Sequence, residues 1–318
     1  MLKLSDSVLE LPFVGERYAT LLKKLEIKTI ENLLHHYPAR YENYALISKI
    51  DRLQPGEMAT VIGQISEFKY QPTRKQNFSI QQAQLADDTG ELKLTWFNQR
   101  FLNSVIKPGI RISVAGTVEK EGNRFTMKNP EYEVIKQPTL IHTGRLVPVY
   151  SETKGVSSRW IRSRLALALG ILDWYQRKYD VTSQIIDWLP NNIVQEEKLI
   201  NLSEALRTIH FPEYQNELEK ARERLGFDEL LKMQLAAVWR KREWRKNRKS
   251  LIVTSRKTEI DKFINHLPFK LTHDQEKVIE DILDDMKKNT PMNRLLQGDV
   301  GSGKTVVAAM AVFMTVKA

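Results

Sequence analysis

The chain has 318 residues, and 49 Lys and Arg against 39 Asp and Glu give it a formal net charge of +10. This length favours two or three domains over one, and the hydrophobic content of 42% is enough for packed cores. Because there is no cysteine, disulfides and thiolate metal sites are excluded. No apolar run approaches the roughly 20 residues of a membrane span, and the N-terminus lacks the apolar segment of a signal peptide. The sequence therefore predicts a soluble cytosolic protein, and its basic charge is compatible with a polyanionic partner.

Residues 1–50 predict a short helical leader. A turn at residues 11–15 precedes a helical pattern at residues 17–25, and a second pattern at residues 27–34 stops at Tyr37-Pro38. The arrangement resembles a helix-hairpin-helix element, whose glycine turn can rest on a DNA phosphate. Phe13 stands where that turn usually carries another glycine. We interpret the leader as a small packing unit, with a DNA contact as the alternative.

Residues 51–140 show the apolar period of two that is typical of strands. The pattern predicts five strands, at residues 60–65, 78–85, 91–97, 111–118 and 124–127. Five short strands in this length predict a small Greek-key barrel, of which the OB-fold is the common nucleic-acid-binding version. Arg74 and Lys75 fall between the first two strands and predict an exposed basic hairpin tip.

Three aromatic residues, Trp96, Phe97 and Phe101, lie at the end of the third predicted strand. Strict alternation places Trp96 and Phe97 on opposite faces, so we expect one of them to be exposed. Exposed aromatic rings beside Arg100 would form a platform on which bases stack. The alternative is that Phe97 and Phe101 fill the end of the barrel, and the pattern alone does not decide between the two.

Residues 141–256 predict a mostly helical linker region. Apolar stripes of helical period cover residues 158–175 and 217–242. The segment at residues 240–249 contains seven cations and one acid. Such a run is typical of a solvated helix end, and a phosphate-contacting surface is the alternative.

Residues 257–318 contain the pattern Gly298-x-x-x-x-Gly303-Lys304-Thr305, preceded by Leu295-Leu296 as a predicted strand and followed by a predicted helix. This is the context in which the pattern indicates a phosphate loop. Glycines allow backbone N–H groups to point at a phosphate, and the helix N-terminus favours the same anion. Lys304 would reach the β- and γ-phosphates as a catalytic residue, and Thr305 would hold Mg²⁺. The predicted nucleotide-binding residues of the loop are Gly298, Asp299, Val300, Gly301, Ser302, Gly303, Lys304 and Thr305.

Gln275 has two interpretations. With Thr272 it fits a capping box at the start of a helix. It also lies upstream of the phosphate loop and after Phe269, where several motor families keep a glutamine that recognises adenine.

Several motifs together resemble RecG, the bacterial DNA helicase family that remodels stalled forks and branched junctions. The resemblance covers nearly the whole chain in the family's order. Its motifs are Leu34-x-x-Tyr-Pro-x-Arg-Tyr-Glu, Leu85-x-Asp-Asp-Thr-Gly, Trp96-Phe-Asn-Gln, Asn129-Pro-Glu-Tyr, Leu267-Pro-Phe-x-Leu-Thr-x-x-Gln and Arg294-Leu-Leu-Gln-Gly-Asp-Val-Gly-Ser-Gly-Lys-Thr.

The resemblance implies a multidomain α+β chain. It would contain a helical leader, an OB-fold β-barrel wedge domain, a helical linker and the start of a RecA-like α/β ATPase domain. ATP and Mg²⁺ would be its cofactors, with Phe269 and Gln275 at the adenine. Its partner would be branched DNA, meaning replication forks and Holliday junctions. Single-stranded DNA-binding protein is a further expected partner. The enzyme would be monomeric and associated with the nucleoid. The implied DNA-binding residues are Trp96, Phe97, Phe101, Arg100, Arg74 and Lys75.

The remaining motor motifs of such a helicase are not found before Ala318. Phosphoryl transfer needs a metal-holding acid, a positioned water and charge stabilisation at the γ-phosphate. We therefore expect the chain to be the N-terminal portion of a longer protein and not to hydrolyse ATP by itself. The alternatives are an OB-fold DNA-binding module without motor activity, or a sister superfamily 2 translocase.

Overall fold

The computed structural model describes residues 2–72, 78–136, 139–171, 179–254 and 257–317, and for residues 245 and 247 it describes the backbone alone. Two compact units divide the chain, Met1–Asp228 and Glu229–Ala318. The division falls inside the region predicted as a helical linker. Arg74 and Lys75, which the sequence assigned to DNA binding, lie outside the described residues.

The helices of the described residues follow the predicted patterns in part: the predicted helical stripe at residues 158–175 becomes a helix that ends at Ala168, and its residues 172–175 lie outside the described residues. In the first unit they are α1 (Glu16–Leu22), α2 (Ile30–Leu34), α3 (Leu102–Val105), α4 (Ser158–Ala168), α5 (Asn191–Glu196) and α6 (Leu202–His210). The long helix α7 (Gln215–Asn247) begins in the first unit and ends in the second. The second unit continues with α8 (Lys257–Asn265), α9 (His273–Met286) and α10 (Lys304–Lys317). Short 3₁₀ turns cover Val8–Glu10, Lys23–Leu25, Ile50–Arg52 and Thr182–Gln184.

A six-stranded sheet contains the five predicted strands. Its strands are β2 (Met58–Pro72), β3 (Ser79–Ala86), β4 (Glu91–Phe97), β5 (Arg111–Glu121), β6 (Arg124–Lys128) and β7 (Glu131–Val134). The pairing runs β2-β3-β4-β6-β5-β7, and β5 also pairs with β2. All of these pairs are antiparallel except β4 with β6, which is parallel. The pairing therefore returns to the strand from which it started.

The interior of this sheet is filled by the alternating apolar residues of its strands. Val61, Leu85, Leu94 and Val114 are all fully buried, as the period of two requires when one face is packed. Each such side chain contributes about 1.5–3 kcal/mol of transfer free energy. A Cβ at Gly63 would lie 2.5 Å from the Ala86 carbonyl oxygen, so the crossing of β2 and β3 leaves no room for a side chain there.

The leader packs on α4 in a single apolar core. Leu22, Ile30 and Leu34 from the leader are buried in one cluster with Ile161 and Leu165 of α4. Two short strands, β1 (Arg40–Asn43) and β8 (Leu146–Val149), form a separate antiparallel pair. The predicted strands did not include β1, β7 and β8, which have four residues each; β1 and β8 also show no alternation of polar and apolar residues.

The second unit has an apolar cluster between its helices. Ile279 and Leu283 of α9 are buried with Val307, Met310 and Met314 of α10. The expected strand at Leu295-Leu296 is wrong for this structure, because residues 291–299 have no regular secondary structure. No strand lies elsewhere in the described part of this unit, and a strand without a neighbour leaves its backbone groups unpaired. Among the described residues, no helix is both long and apolar enough to cross a membrane.

Candidate functional site

The predicted phosphate loop surrounds the ammonium group of Lys304. Its Nζ atom donates hydrogen bonds to the carbonyl oxygens of Gly298 and Asp299, both at 2.7 Å. Helix α10 begins at Lys304 itself, so the loop leads directly into a helix N-terminus. An ammonium has three donors, and a phosphate oxygen entering the loop would exchange with these carbonyls. The loop therefore places a cation and a helix dipole at one point.

Two of the loop's three glycines are required by their backbone angles. Gly301 and Gly303 have φ values of +86° and +79°, in the left-handed region that favours glycine. A Cβ at Gly303 would lie 2.3 Å from Nε2 of Gln275, and a Cβ at Gly298 would lie 2.7 Å from Oγ of Ser302. The glycine pattern thus fits a loop that brings its backbone close to a phosphate. Thr305, the predicted magnesium ligand, and Val300 are exposed.

Gln275 joins the loop to α9. Its Oε1 accepts the Thr272 N–H at 2.9 Å and its own N–H donates to Thr272 Oγ1 at 3.3 Å, which forms the predicted capping box. Its Nε2 also donates to the Ser302 carbonyl oxygen at 2.9 Å. The cap is therefore present, and the same amide touches the phosphate loop. Phe269, expected at the adenine, is 50% exposed in the segment before α9.

The segment ahead of the loop is tied to α9 by charge. Arg294 donates to the carboxylate of Asp285 and lies 3.4 Å from Asp281. The hydrogen bond from Arg294, followed by that from Lys288, lowers the pKa of Asp285 to about 2. Within the described residues, no group of three or more His, Asp or Glu side chains is placed to hold a metal ion.

The aromatic residues of the six-stranded sheet separate into core and surface. Trp96 is fully buried and its indole N–H donates to the Pro130 carbonyl oxygen at 2.9 Å. Its assignment to the DNA-binding set is therefore corrected, because a ring without an accessible face cannot stack on a base. Phe97 is half-buried and stacks on Phe78 with ring centroids 5.9 Å apart. Phe101 is 57% exposed.

Residues 97–101, the aromatic loop, are held by side chains from elsewhere in the chain. The Phe97 N–H donates to Asn129 Oδ1 at 3.0 Å. The Gln99 N–H donates to Oε1 of Gln81 at 3.0 Å, and Gln81 is fully buried. Asn98 takes a left-handed backbone with φ +59°, which asparagine tolerates better than most residues. The loop is thus fixed in place, with Arg100 and Phe101 at the surface.

Sequence reasoning missed Gln81, Asn98 and Asn129 as residues that position the aromatic loop. A signal was present for two of them, because an asparagine that directly follows a strand favours a turn. Nothing in the sequence distinguishes Gln81 from the neighbouring Gln82 and Gln84, which are half-buried.

Comparison with known proteins identifies relatives over nearly the whole chain. The RecG wedge domain model matches residues 11–172. Proteins named ATP-dependent DNA helicase RecG from Synechocystis sp. and Thermotoga maritima are 36% and 37% identical to the chain over 313 and 309 residues. Each match covers 94% of this chain but only 36% and 37% of the relative. The chain therefore spans little more than a third of the length of these relatives.

A solved structure, described as RecG bound to a three-way DNA junction, is similar to 99% of this chain with a TM-score of 0.70 and 33% identity. The similarity covers 42% of that chain. The mixed α+β architecture of the present chain is therefore shared with a protein that was solved on branched DNA.

Proposed function

Because the chain belongs to the RecG family, we propose that it forms part of an ATP-dependent DNA helicase that binds branched DNA. The whole protein would drive branch migration or fork regression at stalled forks and Holliday junctions, in replication restart, recombination and repair. One observation carries the proposal: the RecG wedge match at residues 11–172 stands in one chain with a phosphate loop folded around Lys304.

In the proposed nucleotide site, ATP bound with Mg²⁺ supplies the phosphoryl group whose transfer to water drives the motor. The Lys304 ammonium binds β- and γ-phosphate oxygens in exchange for the carbonyls of Gly298 and Asp299 that it now contacts. The Thr305 hydroxyl holds Mg²⁺ at the start of α10. Gln275 binds adenine, since its amide oxygen accepts one bond in the cap and keeps a second lone pair. Phe269 offers an exposed ring for the same base.

In the proposed DNA site, Phe97 and Phe101 stack on unpaired bases at the point where strands separate. The exposure of Phe101, the half-exposed ring of Phe97 and the hydrogen bonds that hold the aromatic loop support this role, because a base gains most from a ring that is already fixed in place. Arg100 adds a cation for the DNA backbone. Trp96 has no direct part, since it packs inside the sheet.

We also propose the finer architecture that the sequence predicted. The return of the strand pairing to β2 supports an OB-fold barrel. The order of glycine loop and helix supports the start of a RecA-like domain. A monomeric state, an interaction with single-stranded DNA-binding protein and a nucleoid location remain predictions.

The proposal is tested by titrating the chain and its Phe97→Ala variant with a fork and with blunt duplex DNA. Stacking on an unpaired base is worth about 1–3 kcal/mol per aromatic ring. Phe97→Ala should therefore reduce fork affinity by about 5- to 150-fold and leave duplex affinity unchanged, because phosphate contacts are common to both ligands. Tyr214→Ala, which removes another exposed aromatic ring, is the matched control and should change neither.

Circular dichroism of each variant separates binding from folding. Equal losses on fork and duplex for a folded Phe97→Ala protein would contradict the proposed stacking. If Phe97→Ala lost the β-sheet signal in circular dichroism, Phe97 would instead be a residue that stabilises the sheet.

A further inference from the structure

A row of aromatic and cationic side chains lies on the leader and α4, outside the site proposed above. Arg164 lies over the ring of Phe13 at 5.3 Å and over the ring of Trp160 at 5.4 Å. Trp160 in turn stacks on Tyr18, with ring centroids 4.7 Å apart and an interplanar angle of 12°. These four side chains, the leader row, form a continuous stack that contains one guanidinium group.

Phe13 is the exposed member of the row, whereas Tyr18 and Trp160 are half-buried and pack against an apolar core of the first unit. Phe13 is 69% exposed and has a φ of +62°, a backbone region that few residues other than glycine adopt. Nη1 of Arg164 donates to the Pro12 carbonyl oxygen at 2.6 Å and so fastens this turn to α4. Trp160 and Arg164 are four residues apart on α4, which places them on one face of the helix. A strained backbone and an exposed ring are both unfavourable for folding alone.

A shallow cavity of about 580 Å³ adjoins the stacked pair of Tyr18 and Trp160. Lys154 lines it from the tip of a narrow turn that is closed by the bridge between Thr153 and Val156. The Glu152 carboxylate also lines the cavity, but it accepts the backbone N–H of Ser158 at 2.6 Å. The cavity therefore offers two stacked rings with one cation, Lys154, beside them and one carboxylate that is already hydrogen-bonded.

We propose that the leader row binds a single strand of nucleic acid by stacking its bases on the two end rings, Phe13 and Tyr18, with Lys154 at the backbone phosphates. The flat faces of nucleic-acid bases stack on aromatic rings that are fixed in place. The guanidinium of Arg164 stabilises the row by cation–π contacts with the rings on either side of it. A proline-rich peptide also binds aromatic grooves, but it needs no cation within the stack. The leader row shares no residue with the aromatic loop. The inference rests on the proposed function only for its ligand, since both sites would bind DNA.

The inference is tested by photo-crosslinking the full 318-residue chain to a single-stranded oligonucleotide containing 5-iodouracil. Crosslinked peptides are mapped by mass spectrometry in the unaltered chain and in a Phe97→Ala, Phe101→Ala double variant. Crosslinks at Phe13, Tyr18 or Trp160 should be found in both proteins. Their persistence in the double variant would support a second site even if the aromatic loop proved to have no role in binding.

Substitutions at Phe13 then measure the contribution of the row. Alanine keeps the Cβ, so Phe13→Ala leaves the backbone strain as it is and removes the ring. When Phe13→Ala is added to the Phe97→Ala, Phe101→Ala double variant, the affinity for the single strand should fall by about 5- to 150-fold. Phe13→Tyr should restore most of the affinity, and Tyr214→Ala should have no effect.

Two results would overturn the inference. One is the absence of crosslinks in the leader and α4 from either protein. The other is unchanged single-strand affinity in a folded Phe13→Ala variant. Competition by a proline-rich peptide with no binding of DNA at this surface would assign the row to a protein partner instead.

Discussion

The phosphate loop combines local contacts with one distant contact, whereas Gln81 and Asn129, which hold the aromatic loop, are both distant from it in sequence. Lys304 bonds to carbonyls six and five residues away, and the distant partner of that loop is Gln275, 27 residues away. The aromatic loop is held by two side chains that accept hydrogen bonds from its backbone N–H groups. Gln81 is 18 residues from Gln99, and Asn129 is 32 residues from Phe97. Contacts between residues close in sequence can be recognised as a sequence motif, whereas contacts between distant residues can be recognised only in the folded structure. Changes in one region should therefore leave the other intact.

The strongest test of this separation is Lys304→Ala in a RecG-family helicase that carries the whole motor together with this chain. Loss of one charge-stabilising donor at a reaction centre costs about 10²–10³ in rate. We expect ATPase activity to fall by at least that factor, while junction affinity measured by anisotropy stays within about twofold because no DNA contact is assigned to Lys304. Lys270→Ala, an exposed lysine in the same unit, is the matched control. A parallel fall in junction affinity would contradict the separation.

Acid should act on the first unit through its buried histidines. Burial lowers the pKa of His210 to about 4, and the ring bonds to the Tyr150 hydroxyl and the Leu34 carbonyl oxygen. In the unfolded chain His210 is protonated below about pH 6.5, but in the folded chain it is protonated only below about pH 4. The free energy of unfolding is therefore unaffected by His210 above about pH 6.5. It falls between about pH 6.5 and pH 4 by up to about 3 kcal/mol. Burial also lowers the pKa of His142, so both groups act in the same direction.

Urea unfolding of the chain between pH 7.5 and pH 4 measures this loss. The variant His210→Gln can still donate to the Leu34 carbonyl oxygen and accept from Tyr150, yet it does not titrate. Its stability should depend less steeply on pH than that of the unaltered chain. Identical slopes for the two proteins would show that His210 is not a source of acid sensitivity.

Gln81→Leu should loosen the aromatic loop without touching its rings. The change leaves the Gln99 N–H and the Ser79 hydroxyl without the partner each now has, and an unsatisfied buried polar group costs about 1–3 kcal/mol. We expect faster hydrogen exchange at the Gln99 amide, lower stability and weaker fork binding. Gln82→Leu, on the same strand and half-buried, is the matched control. Unchanged exchange in Gln81→Leu would mean that the loop is ordered by other contacts.

The smallest expected effect belongs to Arg100→Ala. Arg100 is exposed at the aromatic loop, so its removal should weaken fork and duplex binding alike and reduce the slope of log affinity against log salt by about 1. Phe101→Ala should leave that slope unchanged, because a ring displaces no counterion. Titrations at several salt concentrations distinguish the two. A salt slope that falls for Phe101→Ala would argue against stacking at this position.

The sequence predicted the local features and missed those that depend on distant contacts. The capping box of Thr272 and Gln275, the helix that begins at Lys304 and five strands of the sheet are all present. The expected strand at Leu295-Leu296 did not form, because a strand exists only with a neighbour. The pairing of β1 with β8 joins segments about a hundred residues apart, and no periodicity in either segment indicates it.

The sequence alone predicted the proposed phosphate loop, because its glycines, its lysine and the start of the following helix lie within eight residues. It also determined that Trp96 and Phe97 face opposite ways, since side chains alternate along a strand. Only the tertiary structure decided which of them is inside: the strands that pack around Trp96 bury it and give its N–H a partner at Pro130. The same packing left Phe97 half-buried and Phe101 at the surface, because exposure is a property of what packs against a residue and not of the residue itself.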